Sequence, residues 1–279
     1  MLIIKNLFVI HPSLLPKYRG ASPIHYALLN GDESTGVSVA AVSPKKFDAG
    51  IVFLQESLKV ENSDTYGTLV KKLGKIGGDL ALKMINQDYQ KTGLFVQDET
   101  EVTKAPKFDK DANILFFSTQ SPSPNSGADL SSRHTFNMCR MFRGSSHGYL
   151  KFSYKGKKVG FEDLVLLEDR DLQPETGKIA NPTQLQTVKQ FAGILPVGSL
   201  HQFKNVAELK GMLALRLKDG FLLAKKITYE GSARTVPVAE FLREAQSFGP
   251  AYQEFIGLVV GGKQEVTREV VEKAAVMLD

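Results

Sequence analysis

The first third of the chain alternates between strand-like and helix-like patterns of hydrophobic positions. An apolar run through Ile10 predicts a strand, and apolar runs over 36–42 and 51–60 predict two more. Between the first two runs, the Ser-Pro pair at 22–23 is typical of a helix start and the Asn-Gly pair at 30–31 of a helix end.

A longer helix follows the third strand. Its pattern begins near Asp64 and continues to about Gln90, although three glycines weaken it. Strands that alternate with helices favour βαβ units, so we predict an α/β domain with a parallel sheet over residues 1–98.

The pattern changes after residue 98. Charged and Pro-containing sequence predicts a linker over 99–110, and the serine- and proline-rich stretch 118–127 predicts an insertion loop. From Tyr149 onward short strands dominate, and the Asp-Gly pair at 219–220 predicts a hairpin. These strands indicate a small barrel or sandwich over 111–245.

The tail at 246–279 has a different pattern. Its apolar residues recur at helical spacing and predict an amphipathic helix that docks on its own domain, with docking on a partner as the alternative: Val266, Val270, Val271, Ala274 and Leu278.

Composition excludes several classes of protein. The 279 residues are 42% hydrophobic and 23% charged, which is typical of a folded soluble protein. The single Cys139 can form no internal disulfide, which favours a reducing compartment. We find no apolar run long enough to cross a membrane and no signal peptide, and the scattered histidines offer no zinc-ligand pattern. A net charge of +5 favours anionic partners.

The stretch from His11 to Pro23 is the candidate for chemistry. It follows a strand and precedes a helix, where open parallel sheets bind ligands. From the residues alone, His11 is either catalytic or an ordinary packing or surface histidine.

The stretch HPSLLPKYRGASPIHYALLNGD, with TGVSV after it, resembles the active-site segment of folate-dependent formyltransferases. Within that family, RGASPI is similar to the methionyl-tRNA branch. The resemblance continues through Lys46–Gly50, which is similar to the family's acidic loop, and through Ala105-Pro106-Lys107.

The resemblance implies transfer of a formyl group from 10-formyltetrahydrofolate to the amino group of methionyl initiator tRNA. It assigns the proton-handling role to His11 and its electrostatic partner to Asp48. It also implies that the folate site is lined by Ser13, Leu14, Leu15 and Pro16. The implied architecture is a partial Rossmann-like catalytic domain, an OB-like tRNA-binding barrel and a C-terminal helix, with no obligate protein partner.

Two features depart from the family. Val9 stands where the family has the Asn that donates to the oxyanion, and losing such a donor typically costs ~10² to 10³ in rate. Only ten residues precede His11, whereas in the family much of the catalytic sheet does. We therefore expect impaired activity, an incomplete catalytic domain and an open strand edge that makes the chain, expressed alone, poorly soluble or oligomeric.

Basic residues interleaved with aromatics characterise residues 130–161, which contain no acidic residue. This composition favours contacts to phosphates and bases, although a solvated strand surface is the plain alternative. The predicted tRNA-binding residues are Arg133, Arg140, Arg143, Lys151, Lys155, Lys157 and Lys158.

Two other functions stay open. One is formyl transfer to a different amine, such as a sugar nucleotide, and the other is an inactive RNA-binding remnant, which Val9 favours. The basic isoelectric point near 9.1 and the divergence from the family lead us to expect a mitochondrial protein, or a cytoplasmic one if the source is bacterial.

Overall fold

The computed structural model describes most of the chain in two units. The described residues are 7–86, 94–109, 114–115, 131–146, 148, 150–154, 157–194, 200–203, 206–229 and 235–241. Residues up to 109 form the first unit together with 137–148, and the remaining described residues form the second. The predicted insertion loop and the predicted helical tail lie outside the described residues. The predicted domain boundaries stay predictions.

A three-stranded sheet forms the centre of the first unit. Its strands β1 (Phe8–His11), β2 (Ser34–Ala41) and β3 (Val52–Lys59) lie in that spatial order, and both neighbouring pairs are antiparallel. The prediction of a parallel sheet is therefore wrong for these strands. No helix lies between β2 and β3, so the chain turns back directly, as antiparallel neighbours do.

Two helices accompany this sheet, and the first confirms the predicted start and stop signals. Helix α1 (Pro23–Asn30) ends at Gly31, whose φ of 71° lets its N–H bond the carbonyl oxygens of Ala27 and Leu28. Helix α2 (Tyr66–Asn86) buries one face at helical spacing: Leu69, Leu73, Gly77, Leu80 and Met84.

The glycines of the first unit differ in how much space a Cβ atom would have. Replacing them with alanine should therefore change stability by different amounts. A Cβ at Gly36 in β2 would lie 2.2 Å from the Glu56 carbonyl oxygen and 2.5 Å from the Leu14 side chain. We expect Gly36→Ala to lower the free energy of unfolding by about 1–3 kcal/mol, or more if the strands cannot part. Gly74→Ala is the matched control, because nothing lies within 4 Å of its Cβ.

Denaturant unfolding of both variants checks this prediction. In the interior of α2, Gly74→Ala is expected to raise the free energy of unfolding by up to ~1 kcal/mol. Equal effects of the same sign at the two positions would contradict the described strand spacing.

The segment predicted as a linker is bonded to the loop that leads from His11 to α1. The Thr103 carbonyl accepts from the Arg19 N–H at 2.9 Å, and the Arg19 carbonyl accepts from the Ala105 N–H at 2.8 Å. The Ala105 carbonyl in turn accepts from the Ser22 N–H at 3.0 Å, and Ala105 is fully buried. Residues 103–105 therefore belong to the first unit rather than to a free connection.

The second unit contains a larger sheet. Its strands are β4 (Ile114–Leu115), β5 (Lys151–Tyr154), β6 (Lys157–Glu168), β7 (Leu200–His201), β8 (Leu213–Leu217), β9 (Gly220–Tyr229) and β10 (Thr235–Pro237). The spatial path is β4-β5-β6-β9-β8-β7, with β10 also on β9, and it is open among the described strands. These strands do not show a closed barrel.

The predicted hairpin is confirmed by the register of β8 and β9. Leu217 lies opposite Gly220, so the two strands are joined through residues 218–219. A Cβ at Gly220 would lie 2.2 Å from the Leu167 carbonyl oxygen, so this position has room only for glycine. The hairpin and the helix α4 (Pro182–Ile194) enclose an apolar core that includes Val188, Phe203 and Phe221.

Helix α3 (Ser132–Phe142) occupies part of the basic stretch that the sequence pattern assigned to short strands. Residues 132–136 belong to the second unit and 137–142 to the first. Two of the aromatics predicted to contact bases, Phe136 and Phe142, are buried. Among the described residues no helix is long and apolar enough to cross a membrane.

Candidate active site

His11 is the last residue of β1, and its ring is buried. Its residue exposure is 4%, and the loop that follows carries the chain to α1. The backbone N–H of Ser13 bonds the His11 carbonyl oxygen at 2.9 Å, and the ring Nδ1 lies 2.9 Å from the Ser13 hydroxyl. The imidazole is therefore fixed from the backbone side by the turn that it begins.

Hydrogen bonding at Ser13 determines which ring nitrogen carries the proton. The Ser13 hydroxyl donates to the Lys17 carbonyl at 2.6 Å, and a hydroxyl has one proton to donate. The Ser13 oxygen must then accept from His11, so Nδ1 bears the hydrogen in the neutral ring. Nε2 consequently presents its lone pair.

Asp48 faces that lone pair from the loop between β2 and β3. Its Oδ2 lies 3.3 Å from His11 Nε2, and the side chains are 5% and 17% exposed for His11 and Asp48. The same oxygen accepts a hydrogen bond from the Gly20 N–H at 2.9 Å. Among the described residues Nε2 makes no aligned hydrogen bond, so its contact with Asp48 becomes an ion pair only when the ring is protonated.

The Asp48 backbone has a conformation that few residue types adopt. Its φ is 53°, in the left-handed region where aspartate and asparagine are tolerated better than most side chains. Such conformations cluster at functional sites, where surrounding contacts enforce them. Asp48→Asn is therefore the substitution that removes the charge while it keeps the backbone conformation.

Two opposing effects set the pKa of His11. Burial disfavours the imidazolium and lowers the pKa below 6.5, and this effect is the larger, whereas the negative charge of Asp48 raises the pKa. At neutral pH the ring is therefore neutral, with an available lone pair at Nε2. A proton that arrives there meets the Asp48 carboxylate, which stabilises it.

This lowered pKa predicts how stability depends on pH. The unfolded chain takes up a proton on His11 near pH 6.5, but the folded chain does so only at lower pH. The contribution to stability is therefore present above pH 6.5 and is lost as the pH falls through the folded pKa. We expect the free energy of unfolding, measured by denaturant titration from pH 7.5 to 5, to fall less steeply in His11→Gln.

Asp48→Asn gives the complementary expectation. Because the Asp48 charge raises the pKa of His11, removing that charge lowers the pKa further. The variant should then lose more stability than the unchanged protein over the same pH range. An unchanged pH dependence in both variants would refute the assignment of this ionisation to His11.

The residues predicted to line the folate site differ in exposure. Ser13 and Leu15 are buried, and Leu14 and Pro16 are partly exposed. The Leu15 N–H donates to the Ser38 hydroxyl at 3.0 Å, and the Leu15 carbonyl accepts from the Gln55 amide at 3.1 Å. The side chains that can reach a ligand directly are therefore those of Leu14 and Pro16. Folate binding at the four positions stays a prediction.

Comparison with known proteins points to one chemistry. Residues 3–85 match the family model described as formyl transferase. This segment is therefore similar to the formyl transferase family. His11 and Asp48 both lie within this formyl transferase segment.

The relatives extend the similarity beyond that segment. A methionyl-tRNA formyltransferase from Lactobacillus acidophilus is 36% identical over 198 residues, which are 68% of this chain and 58% of the relative. A protein of the same name from Halothermothrix orenii is 33% identical over 220 residues, which are 76% of this chain and 65% of the relative. The chain thus spans less than two thirds of the length of these relatives.

A solved structure shares the fold. WlaRD, described as a sugar 3N-formyl transferase, superposes with a TM-score of 0.52 over 81% of this chain and 66% of its own, at 17% identity. At that identity the likeness concerns the mixed α/β fold and not the substrate.

Val9 stands where the resemblance to the family predicts an asparagine. It packs against the apolar cluster formed by Leu15, Ala40 and Val52, and it pairs with Ala40 across β1 and β2. Two residues apart on one strand, Val9 and His11 share a face of the sheet. The position beside the imidazole therefore presents an apolar side chain.

The predicted tRNA-binding cations do not form one described surface. Arg140 is buried in the first unit, where it donates to the Glu61 carbonyl at 3.0 Å and to Asn137 Oδ1 at 2.9 Å, and so it is not a surface cation. Arg143 is exposed in the first unit.

The remaining predicted cations belong to the second unit or are not described. Arg133 pairs with Glu168, and Lys151 is partly exposed on β5. Lys157 and Lys158 lie on β6, where the side chains are not described, and Lys155 lies outside the described residues. Contact of this set with tRNA stays a prediction.

Sequence patterns missed the residues that hold the site together. Gln97 and Arg19 are buried polar side chains that bond each other at 2.9 Å, and Ser38 is buried beneath the loop after β1. A buried polar side chain carries no periodic signal, so only its partners reveal its role. Within the described ranges no group of three His, Cys, Asp or Glu residues is placed to hold a metal ion.

Proposed function

We propose that this chain transfers a formyl group from 10-formyltetrahydrofolate to the amino group of methionyl initiator tRNA. The observation that carries the proposal is the 3.3 Å approach of His11 Nε2 and Asp48 Oδ2 in the formyl transferase segment. The methionyl acceptor rests on the name of the relatives, which match over 68% and 76% of this chain.

The reaction needs one base that later acts as an acid. The neutral amine attacks the formyl carbon, a new carbon–nitrogen bond forms, and the bond from the formyl carbon to the folate nitrogen breaks. One proton moves from the amine to the departing nitrogen. The Nε2 lone pair of His11 is suited to take this proton and return it, since the ring is neutral at rest and Asp48 stabilises the imidazolium between the two transfers.

Folate would lie against the loop after β1. The partly exposed Leu14 and Pro16 offer apolar contact to a flat ring system, and the buried Ser13 keeps the imidazole in its tautomer. Folate supplies the activated one-carbon group, whereas the residues of this loop supply orientation and proton handling.

We assign the tRNA contact mainly to the second unit, as an OB-like tRNA-binding part. The partly exposed Lys151 of the second unit and the exposed Arg143 of the first unit support a phosphate-binding role, whereas Arg133 is paired with Glu168. Binding through phosphates should weaken steeply with salt. Affinity for initiator tRNA that does not change between low and high salt would count against this assignment.

The location in the cell is a separate proposal. The isoelectric point near 9.1 supports a mitochondrial protein, and a cytoplasmic protein of a bacterium is the alternative. Microscopy of the protein with a fluorescent tag at its C-terminus would decide between them in a eukaryotic source.

A formylation assay tests the proposed activity. Purified protein is incubated with 10-formyltetrahydrofolate and methionyl initiator tRNA, and formylmethionyl-tRNA is separated and quantified. Product that depends on both substrates and on His11 supports the proposal. Product with a small amine alone, and none with tRNA, would favour transfer to a different acceptor.

One observation favours a second function. Val9 places an apolar side chain where the family has its oxyanion donor, which favours a non-catalytic RNA-binding protein. This candidate predicts salt-dependent tRNA binding without formylation at any substrate concentration.

A further inference from the structure

The loop that presents Asp48 is held by a buried side chain from outside the formyl transferase segment. The amide nitrogen of Gln97 donates to the Asp48 carbonyl at 2.8 Å and to the Gly50 carbonyl at 2.7 Å. Gln97 is 6% exposed, whereas Phe47 beside Asp48 is 92% exposed. The loop is therefore exposed at Phe47, but its backbone is fixed at Asp48 and Gly50 by the Gln97 amide.

The orientation of this amide follows from its partners. Arg19 Nε donates to the Gln97 side-chain oxygen at 2.9 Å, and arginine has no acceptor. The oxygen must therefore face Arg19, and both amide protons must face the two carbonyl oxygens. All hydrogen-bonding groups of the side chain are used, which rules out the flipped orientation.

Gln97 thus joins the two loops that carry the candidate catalytic pair. Arg19 lies on the loop after His11, where its backbone pairs with Thr103 and Ala105, and Asp48 lies on the other loop. Between them, the Gly20 N–H bonds the Asp48 carboxylate directly at 2.9 Å. The amide of Gln97 fixes the Asp48 backbone, and the Gly20 N–H fixes its side chain.

We propose that Gln97 is a positioning residue for formyl transfer, which holds Asp48 at the distance where its carboxylate stabilises the proton on His11. This inference rests on the proposed function for its kinetic consequences. The part of the inference that concerns structure is that the ionisation of His11 depends on Gln97, and this dependence can be measured without any substrate.

Gln97→Met tests the inference, because methionine has a similar length and no donor. Without the two hydrogen bonds the loop can move Asp48 away from the imidazole, so the His11 pKa should fall below its value in the unchanged protein. NMR titration of the ring resonances of His11 measures this change. With an active protein, kcat should drop by up to ~10²-fold, because misplaced catalytic groups cost that much, while KM for tRNA stays the same.

A double-variant cycle separates positioning from general damage. If Gln97 acts through Asp48, then Gln97→Met should shift the His11 pKa in the unchanged protein but not in an Asp48→Asn background. Gln184→Met is the matched control, since Gln184 lies in the second unit and the one described contact of its side chain is with the Ala207 N–H. It should leave the pKa and kcat unchanged.

Gln97→Glu serves if the methionine variant does not fold. It keeps the shape and the contact with Arg19, but places a carboxylate against two carbonyl oxygens. If the loop stayed in place, the added negative charge would raise the His11 pKa, so a fall shows displacement. An unchanged or raised His11 pKa in every variant that folds, or an equal shift in the Asp48→Asn background, overturns the inference. Absence of formylation in the unchanged protein overturns the proposed function instead.

Discussion

Replacing His11 with alanine is expected to lower kcat for formyl transfer by ~10²- to 10⁴-fold, the usual contribution of a positioned acid–base group. The ring Nε2 lies 3.3 Å from the Asp48 carboxylate, and among the described residues it makes no competing hydrogen bond. Its loss removes the proposed proton carrier but leaves Asp48 and the loop after β1 in place. Initial rates with saturating methionyl initiator tRNA measure the effect.

The control for His11→Ala is His134→Ala, a change of the same kind at an exposed position of α3. It should keep the rate of the unchanged protein. Circular dichroism and thermal unfolding show whether each variant is folded. A folded His11→Ala variant with an unaltered rate would remove His11 from the mechanism.

Replacing Val9 with asparagine is expected to raise kcat by ~10²- to 10³-fold, the size of effect that one oxyanion donor has. Val9 and His11 share a face of β1, so an amide at this position would sit beside the imidazole. The gain comes with a loss of stability, because Val9 packs against Leu15, Ala40 and Val52 and an amide there is costly to bury. Rate and thermal midpoint should be measured together.

Val9→Ala is the control for this gain. It shortens the same side chain without supplying a donor, so it should lower stability and leave the rate unimproved. The gain in Val9→Asn should also vanish when His11→Ala is added, because a donor for the oxyanion helps only while the proton is handled. A rate no higher than that of Val9→Ala would show that this position does not face the reacting carbonyl.

Local signals predicted the parts of this fold that short segments specify. Pro23 at the first position of α1 and Gly31 after its last position agree with the predicted ends, although the Ser22 side chain makes no capping hydrogen bond. The approach of His11 and Asp48, which lie far apart in sequence, followed from a family resemblance and not from periodicity. Without that resemblance, Asp48 reads as an ordinary turn residue.

Non-local features were not predictable from the same patterns. The direction of strand pairing depends on how the chain returns between strands, so alternating elements suggested a parallel sheet where β1, β2 and β3 are antiparallel. In α3 the spacing of Phe136, Cys139 and Phe142 is helical. The basic and aromatic composition of this stretch was nevertheless interpreted as short strands. Gln97 binds backbone carbonyls, which every residue has, so no sequence signal identifies its partners.

The bonding of residues 97–105 to the loop after His11 has a consequence for how the chain matures. A nascent polypeptide that has left the ribosome as far as residue 85 already contains the imidazole and the carboxylate, yet it lacks the amide that fixes the Asp48 backbone and the strand partner of Arg19. Both loops can be held in place only after Ala105 has emerged. A protease that cuts between residues 86 and 94 would therefore separate His11 and Asp48 from Gln97 and from residues 103–105, which hold their loops.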